Sequence, residues 1–112
     1  MKIYCDSSTR EACLVFEGQE PIIIPYSERV TVNVGEYQAV ILALEEAERL
    51  KLKQVELLTD SRLVVEQANR RWACKKKHLQ ELREELWSLA SQIDCTLKWI
   101  PREENLAGRV LS

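Results

Sequence analysis

The sequence predicts an α/β fold in which helices flank a five-stranded mixed sheet, with three antiparallel strands and two parallel ones. Two observations predict this fold. Three short apolar runs come first and are joined by short polar connections, which is typical of an antiparallel meander. The hydrophobic period then changes to that of a helix and alternates with two further strand-like runs, which favours βαβ units.

The first half of the chain is predicted to form the meander and one long helix. Strands are predicted at 2–6, 12–17 and 21–26. Prolines flank the third strand and suit an edge position, where a missing N–H is tolerated. Apolar side chains at helical spacing from Tyr37 to Leu50 predict an amphipathic helix within 31–52.

The second half of the chain alternates between strand and helix. We predict a strand at 54–59, helices at 61–69 and 79–93, a strand at 95–100, and one or two helical turns within 106–112. Because the strand at 54–59 follows the long helix, it should run parallel to the first strand. Its carboxyl end, at Asp60, then lies at the edge where open α/β sheets usually bind ligands.

Length and composition indicate one domain that spans residues 1–112. The chain is 46% hydrophobic and 30% charged, which is ordinary for a globular protein. A net charge of −2 excludes nucleic-acid binding by bulk charge alone, so such binding requires a local basic patch. No run approaches about 18 apolar residues and no basic segment leads into an apolar one, so we expect a cytoplasmic protein without a membrane span or secretory signal. We also expect a monomer.

The four cysteines do not match a metal site. Cys5, Cys13, Cys74 and Cys95 lack the C-x-x-C pairing and the histidine spacing of zinc sites. Free and partly buried thiols are the expected state in a reducing compartment. A Cys5–Cys13 bridge across the first hairpin stays open as the alternative.

Three acidic residues occupy positions that this topology would gather at one edge of the sheet. Asp6 closes the first strand, Glu36 lies in the first turn of the long helix, and Asp60 closes the fourth strand. Each has a structural alternative: Asp60 as a helix cap, Glu36 as a complement to the helix dipole, Asp6 as a turn former. The joint arrangement favours a site. Clustered carboxylates repel one another unless a cation lies between them, and hard oxygen ligands suit Mg²⁺ or Mn²⁺.

Four segments, in this order, resemble motifs of type 1 ribonuclease H. They are Ile-Tyr-Cys-Asp at 3–6, Thr-Val-Asn-Val-Gly-Glu at 31–36, Leu-Thr-Asp-Ser-Arg-Leu-Val at 58–64 and Trp-Ile-Pro-Arg-Glu-Glu-Asn at 99–105. The resemblance covers nearly the whole chain and implies the ribonuclease H-like fold. The short connection between the second and third helices is similar to the compact variety of the family, which lacks an inserted basic-protrusion helix.

The resemblance implies a metal-dependent endonuclease that cleaves the RNA strand of RNA–DNA hybrids by a two-metal mechanism. It makes Asp6, Glu36 and Asp60 the catalytic metal ligands, with Asp6 bridging two Mg²⁺ or Mn²⁺ ions. It places nucleic-acid contacts at Thr31, Asn33, Ser61 and Arg62. The asparagine among them would read the minor groove, where RNA 2′-hydroxyls are displayed.

One segment, residues 70–78, is strongly basic. It could replace the missing protrusion and bind the DNA phosphates. The residues that would do so are Arg70, Arg71, Trp72, Lys75, Lys76 and Lys77. A solvated loop and helix start is the alternative interpretation of this segment.

The chain departs from the family at the fourth acidic position. The family closes its site with Asn-x-x-Ala-Asp-x-Leu-Ala, and the gapless match at 105–112 places Arg109 where the fourth acid is expected. At about 4 Å and an effective dielectric of about 20, a divalent ion and an arginine repel by at most about 8 kcal/mol, because the long side chain can swing away. The family's mobile histidine has no counterpart either, because His78, the only histidine, lies elsewhere.

Other functions therefore stay open beside the complete two-metal nuclease. One is a slow enzyme that holds a single metal, with Arg109 neutralising the phosphate, and another has Glu103 or Glu104 completing the site. A third is a module of the same fold that binds hybrid without cutting it. An interaction domain that uses no metal is the fourth.

Overall fold

The computed structural model of the protein describes residues 1–111. The strands are β1 (Lys2–Ser7), β2 (Glu11–Phe16), β3 (Ile22–Pro25), β4 (Gln54–Thr59) and β5 (Asp94–Trp99). The helices are α1 (Val32–Arg49), α2 (Arg62–Ala68), α3 (Lys77–Ala90) and α4 (Leu106–Leu111), and a 3₁₀ turn (Arg102–Glu104) precedes α4. No helix within this part of the chain has the length and hydropathy needed to cross a membrane.

The sheet is mixed, as predicted. Its strand order is β3-β2-β1-β4-β5. The pairs β1–β2 and β2–β3 are antiparallel, whereas β1–β4 and β4–β5 are parallel. Cys5 lies beside Thr59 and Thr59 beside Trp99, so the carboxyl ends of β1, β4 and β5 meet. We call this the carboxyl edge of the sheet.

Helices cover both faces of the sheet. On one face α1 packs against β1 and α3, and it buries Tyr37 in a core that includes Cys5 of β1. On the other face α4 packs against β1 and β2, where Ala107 contacts the second, smaller core. Side chains alternate along a strand, so Ser7 lies on the α1 face and Asp6 on the α4 face.

The same alternation separates the two cysteines of the first hairpin. Cys5 belongs to the core under α1, and Cys13 belongs to the core under α4. All four cysteines, which lie within residues 1–111, are free thiols. The alternative of a Cys5–Cys13 bridge is therefore wrong, because the two side chains point to opposite faces.

Element boundaries differ from the predicted ones by a few residues, for local reasons. α1 ends at Arg49 because Lys51 adopts a left-handed φ of 58°. The N–H of Lys51 then donates to Glu48 and that of Leu52 to Ala47, each at 3.0 Å, which is the usual way to close a helix. The predicted final turns are helical up to residue 111, and residue 112 lies outside the described residues.

Candidate active site

Two acidic side chains lie at the carboxyl edge, and a third faces them from α1. Asp6 is the fifth residue of β1. Asp60 directly follows β4. Glu36 lies on α1, and all three side chains are half-buried. The fold thus brings together the three acids that the sequence singled out, because parallel pairing aligns two strand ends and α1 crosses beside them.

The charges of these acids act on one another. Burial, and after it the charge of Asp60, raises the pKa of Asp6, and the two carboxyl groups are close enough to share a hydrogen bond. Arg102 acts in the opposite direction and lowers the pKa of Asp6. Burial also raises the pKa of Glu36, assisted by the charges of Asp60 and Asp6, while a hydrogen bond with Ser61 lowers it. Negative charge is in excess here, and a bound cation would relieve it.

Neighbouring serines fill the structural roles that these acids could have had. Ser61, not Asp60, is the N-cap of α2, and its Oγ accepts an N–H of the first turn at 3.3 Å. Ser8, not Asp6, forms the turn after β1, where its Oγ accepts two backbone N–H groups at 3.1 Å each. The prediction that Glu36 lies in the first turn of α1 is wrong, since that turn contains no acidic residue. The three carboxylates are thus available for another purpose.

A buried amide, Asn105, joins the two strand ends. Its side chain is 0% exposed. Nδ2 donates to the Cys5 carbonyl at 2.9 Å and to Asp60 Oδ1 at 3.2 Å. Oδ1 accepts the Ala107 N–H at 3.1 Å and so caps the start of α4. The sequence analysis gives Asn105 no role of its own. An asparagine just before a short helix is the sequence signal that could have identified this cap.

A stacked pair, Trp99 and Arg62, lies beside Asp60. The indole Nε1 donates to the Asp60 carbonyl at 3.2 Å. Arg62 Cζ lies 4.3 Å from the centre of the indole, which is a cation–π geometry. Both side chains are exposed. The structure therefore places the predicted Arg62 at the carboxyl edge and adds an aromatic surface that the sequence did not single out.

The other predicted nucleic-acid contacts near the acids differ in accessibility. Thr31 is exposed and is the N-cap of α1, where its Oγ1 accepts an N–H at 3.2 Å. Asn33 is half-buried in the first turn of the same helix. Ser61 is only 3% exposed. Its contacts with Glu36 and with α2 favour a role in holding the carboxylate.

The basic side chains of residues 70–77 have different surroundings. Arg70 has a left-handed φ of 63°, and its Cζ lies 4.0 Å from the ring centre of Trp87. Arg71 forms an ion pair of 2.7 Å with Glu66. The remaining predicted contacts are exposed: Trp72, Lys75, Lys76 and Lys77. The lysines are therefore the members of this segment best placed to meet a phosphate backbone.

The position where a fourth acid was expected lies at the rim of the site. Arg109 is on α4, and its Nη2 donates to the Glu103 carbonyl at 2.9 Å, beside a surface cavity of about 300 Å³ that Arg102 also lines. Gly108 packs against Asp6, since a Cβ at this glycine would lie 3.5 Å from Asp6 Oδ2. Arg102 thus acts on the charge of Asp6, and Arg109 lines the same surface cavity as Arg102.

The donor chemistry of the edge fits a hard divalent cation, because Asp6, Glu36 and Asp60 offer carboxylate oxygens. Asp6 and Asp60 interact with each other, whereas Glu36 interacts with Ser61. Within residues 1–111, no group of three histidine, cysteine, aspartate or glutamate side chains is arranged to hold a metal ion. The oxygen ligands are present, but binding would require side-chain adjustment.

Comparison with known proteins identifies the family. A family model described as "Reverse transcriptase-like" matches residues 7–112. The chain belongs to this reverse transcriptase-like family. The strong structural matches of the chain are ribonuclease H and H1 domains, so the chain is a member of the ribonuclease H-like superfamily.

Solved structures share the fold over almost the whole chain. The N-terminal RNase H domain of Rv2228c from Mycobacterium tuberculosis, a fusion with maltose-binding protein, has a TM-score of 0.83 at 30% identity and covers 96% of this chain and 87% of that one. RNase H1 from Halobacterium salinarum has a TM-score of 0.81 at 27% identity, covering 98% and 92%. LC11-RNase H1 in complex with RNA/DNA hybrid has a TM-score of 0.80 at 25% identity, covering 99% of both chains. The predicted ribonuclease H-like fold is confirmed.

Curated relatives of this reverse transcriptase-like chain are longer proteins. Bifunctional protein Rv2228c of Mycobacterium tuberculosis and uncharacterized protein Mb2253c of Mycobacterium bovis are each 40% identical over 78 residues. The match covers 69% of this chain and 21% of each relative. The chain is therefore similar to one part of these proteins.

The joining role of Asn105 predicts a large cost for Asn105→Asp. The new carboxylate cannot donate to Cys5 and lies beside Asp60, so we expect a loss of about 3 kcal/mol in the free energy of unfolding at pH 7. Asn69→Asp is the matched control, because Asn69 Nδ2 also donates to a strand carbonyl, that of Leu97 at 3.1 Å, from an exposed position. There we expect less than about 1 kcal/mol. Urea unfolding in EDTA measures both, and equal losses would contradict the joining role.

Proposed function

We propose that this chain is a metal-dependent endonuclease that cleaves the RNA strand of RNA–DNA hybrids. The observation that carries the proposal is the placement of Asp6, Glu36 and Asp60 near one another, with charges that act on one another, at the carboxyl edge of a ribonuclease H-like fold. LC11-RNase H1, a solved structure of the same fold, is in complex with an RNA/DNA hybrid. That likeness supports a hybrid as the substrate.

In this proposal Asp6, Glu36 and Asp60 hold Mg²⁺ or Mn²⁺. When bound, a divalent ion supplies positive charge to the phosphate and lowers the pKa of an attacking water. The chain itself fixes the oxygen ligands: Asn105 holds Asp60, and Ser61 holds Glu36. Because the pKa values of Asp6 and Glu36 are raised, protons compete with the cation for these two carboxylates.

The two arginines at the rim set the charge of the proposed site. Arg102 lowers the pKa of Asp6 and so favours its ionised, ligand form. Arg109 stands where a further carboxylate would otherwise strengthen the hold on a second ion. We therefore propose one firmly held ion and slow cleavage, with the Arg109 guanidinium neutralising a phosphate oxygen in place of the second ion.

Contacts with the hybrid are proposed on both sides of the carboxylates. At the start of α1, Asn33 would read the minor groove and Thr31 would contact the backbone near the cut. The exposed surface of Trp99 and Arg62 would meet the backbone near the cut. On the other side the exposed lysines of the basic segment would bind DNA phosphates, whereas Arg71 contributes less because Glu66 already pairs with it.

A module that binds hybrid without cutting it is the second candidate function. Two observations favour it: Arg109 occupies the fourth position, and the described residues contain no assembled three-ligand group. The binding surfaces would be the same in both candidates, so a cleavage assay separates them. The expected monomer and the single domain over residues 1–112 stay predictions.

The proposed function predicts cleavage of labelled hybrid by the wild-type chain with Mg²⁺ or Mn²⁺. Asp60→Asn keeps the shape of the side chain and removes a ligand charge, so we expect the rate to fall at least about 100-fold. Gel analysis should show products of the RNA strand alone, and EDTA should abolish them. Hybrid binding without cleavage above the Asp60→Asn level would favour the second candidate, and absence of binding would contradict both.

The charge at the rim predicts that Arg109→Asp makes the enzyme faster. Removing a cation and adding a carboxylate favours a second ion, and a gain of about tenfold corresponds to about 1.4 kcal/mol in the barrier. Arg49→Asp is the control, because it changes the net charge equally at the far end of α1. Initial rates at several Mg²⁺ concentrations measure the effect. An unchanged rate would mean that another group already completes the site.

The basic segment predicts a change in the salt dependence of binding when Lys75, Lys76 and Lys77 are replaced by Gln. If each lysine contacts one phosphate, the slope of log K against log salt should fall in magnitude by about 2 to 3. A triple replacement of Lys2, Lys51 and Lys53 removes the same charge from the opposite end of the sheet and should leave the slope nearly unchanged. Equal slopes in both variants would contradict a contact by this segment.

A further inference from the structure

A glycine in α1 marks a very close approach between this helix and the end of β1. Gly35 is fully helical, although glycine is among the residues least favourable to a helix. A Cβ at this position would lie 2.5 Å from Ser7 Oγ and 3.0 Å from the Ser8 carbonyl oxygen. No other side chain fits without moving these neighbours. The glycine is therefore explained by contact with β1.

A tyrosine hydroxyl connects the same two segments. Tyr26 Oη lies 2.6 Å from Ser7 Oγ and donates to the Gly35 carbonyl at 3.1 Å. Ser7 Oγ also lies 2.6 Å from the Ser8 carbonyl. The backbone N–H of Tyr26 donates to Arg10 at 2.9 Å, so the tyrosine is anchored to the β1–β2 turn. We call the Tyr26, Ser7 and Gly35 contacts the hydroxyl clamp.

Two residues of the hydroxyl clamp are direct sequence neighbours of proposed metal ligands. Ser7 is the residue after Asp6, and Gly35 is the residue before Glu36. Ser7 points towards α1 while Asp6 points to the opposite face, so the clamp holds the backbone without occupying the site. Tyr26 is half-buried, and burial raises its pKa, so its hydroxyl keeps the proton that it donates.

We propose that Tyr26 and Ser7 are positioning residues, which set the distance between Asp6 and Glu36 for binding of a divalent cation. This inference rests on the proposed function, since it assumes that the two acids are ligands of one site. Glu36 is the ligand most in need of such support, because it comes from a helix rather than from the sheet. Outer hydrogen-bond partners of metal ligands typically change affinity or activity by 10- to 100-fold.

Tyr26→Phe tests the proposal, because it removes the hydroxyl and keeps the ring. We expect the midpoint of a Mg²⁺ titration, followed by NMR shifts of the Ser7 and Glu36 amides, to rise about tenfold. In hybrid cleavage, kcat should fall by a similar factor while KM for the hybrid changes less than about twofold, because the clamp contains none of the residues proposed to contact the hybrid. Tyr4→Phe is the control, since Tyr4 also lies on β1 but packs against the core under α4.

A second pair of variants separates positioning from a loss of fold. Gly35→Ala should weaken Mg²⁺ binding, because its Cβ meets Ser7 Oγ at 2.5 Å. Adding Ser7→Ala to Gly35→Ala removes that clash, so the double variant should bind Mg²⁺ no more weakly than Gly35→Ala alone. Fully additive losses would contradict the direct contact.

The outcomes distinguish the clamp from the nuclease. If the wild type cleaves and Tyr26→Phe matches it in both kcat and Mg²⁺ midpoint, the positioning role of the clamp is contradicted and the nuclease function is supported. If the wild type does not cleave but binds Mg²⁺ at these amides more tightly than Tyr26→Phe, the nuclease function is contradicted and the positioning role of the clamp is supported. If Mg²⁺ moves neither amide in the wild type, the clamp is overturned as well, because there is no ion to position.

Discussion

Two acidic residues, Asp6 and Asp60, lie at adjacent ends of parallel strands and repel each other when both are charged. The surrounding contacts keep the two strand ends together. Parallel pairing of β1 with β4 brings the carboxyl groups within hydrogen-bonding reach. Asn105 donates from one amide to both strand ends, and Arg102 offsets part of the negative charge. Without such partners, two half-buried carboxylates would favour separation of the strand ends or uptake of a proton.

The third carboxylate enters this arrangement from a helix, and its placement depends on different contacts. Glu36 interacts with Ser61 on one side. On the other side, the helix that carries Glu36 contacts β1 through Gly35 and Tyr26. The site is therefore assembled from three separate parts of the chain. A shift of α1 by a fraction of an ångström would move one of the three carboxylates and leave the other two in place.

The rim of the site distinguishes this chain from a site made of four acids. Arg102 acts on the charge of Asp6, and Arg109, which lines the same surface cavity, donates to the Glu103 carbonyl at 2.9 Å. A positive rim favours the approach of a phosphate and disfavours a second divalent ion. In the proposed nuclease, replacing Arg109 should therefore change hybrid affinity and cleavage rate in opposite directions.

The sequence predicted the elements and the order of the acids because these depend on local patterns. The apolar run ending at Asp60 predicted a strand end, and helical spacing from Tyr37 onwards predicted α1. The contacts that hold the site could not be predicted in the same way. Asn105 reaches Cys5 across 100 residues of sequence, and Tyr26 meets Gly35 only because the meander turns back on α1. The prediction that Glu36 lies in the first turn of α1 was wrong. The cap at residue 31 starts the helix four residues before Glu36, so Glu36 lies beyond the first turn.

Paramagnetic broadening by Mn²⁺ tests the central claim, that Asp6, Glu36 and Asp60 form one divalent-cation site. In amide NMR spectra of the wild-type chain, substoichiometric Mn²⁺ should broaden first the amides of these residues and of their immediate neighbours. Asp60→Asn should largely abolish that broadening. Broadening centred on other surface acids such as Glu84 and Glu85, or a pattern that Asp60→Asn leaves unchanged, would contradict the account.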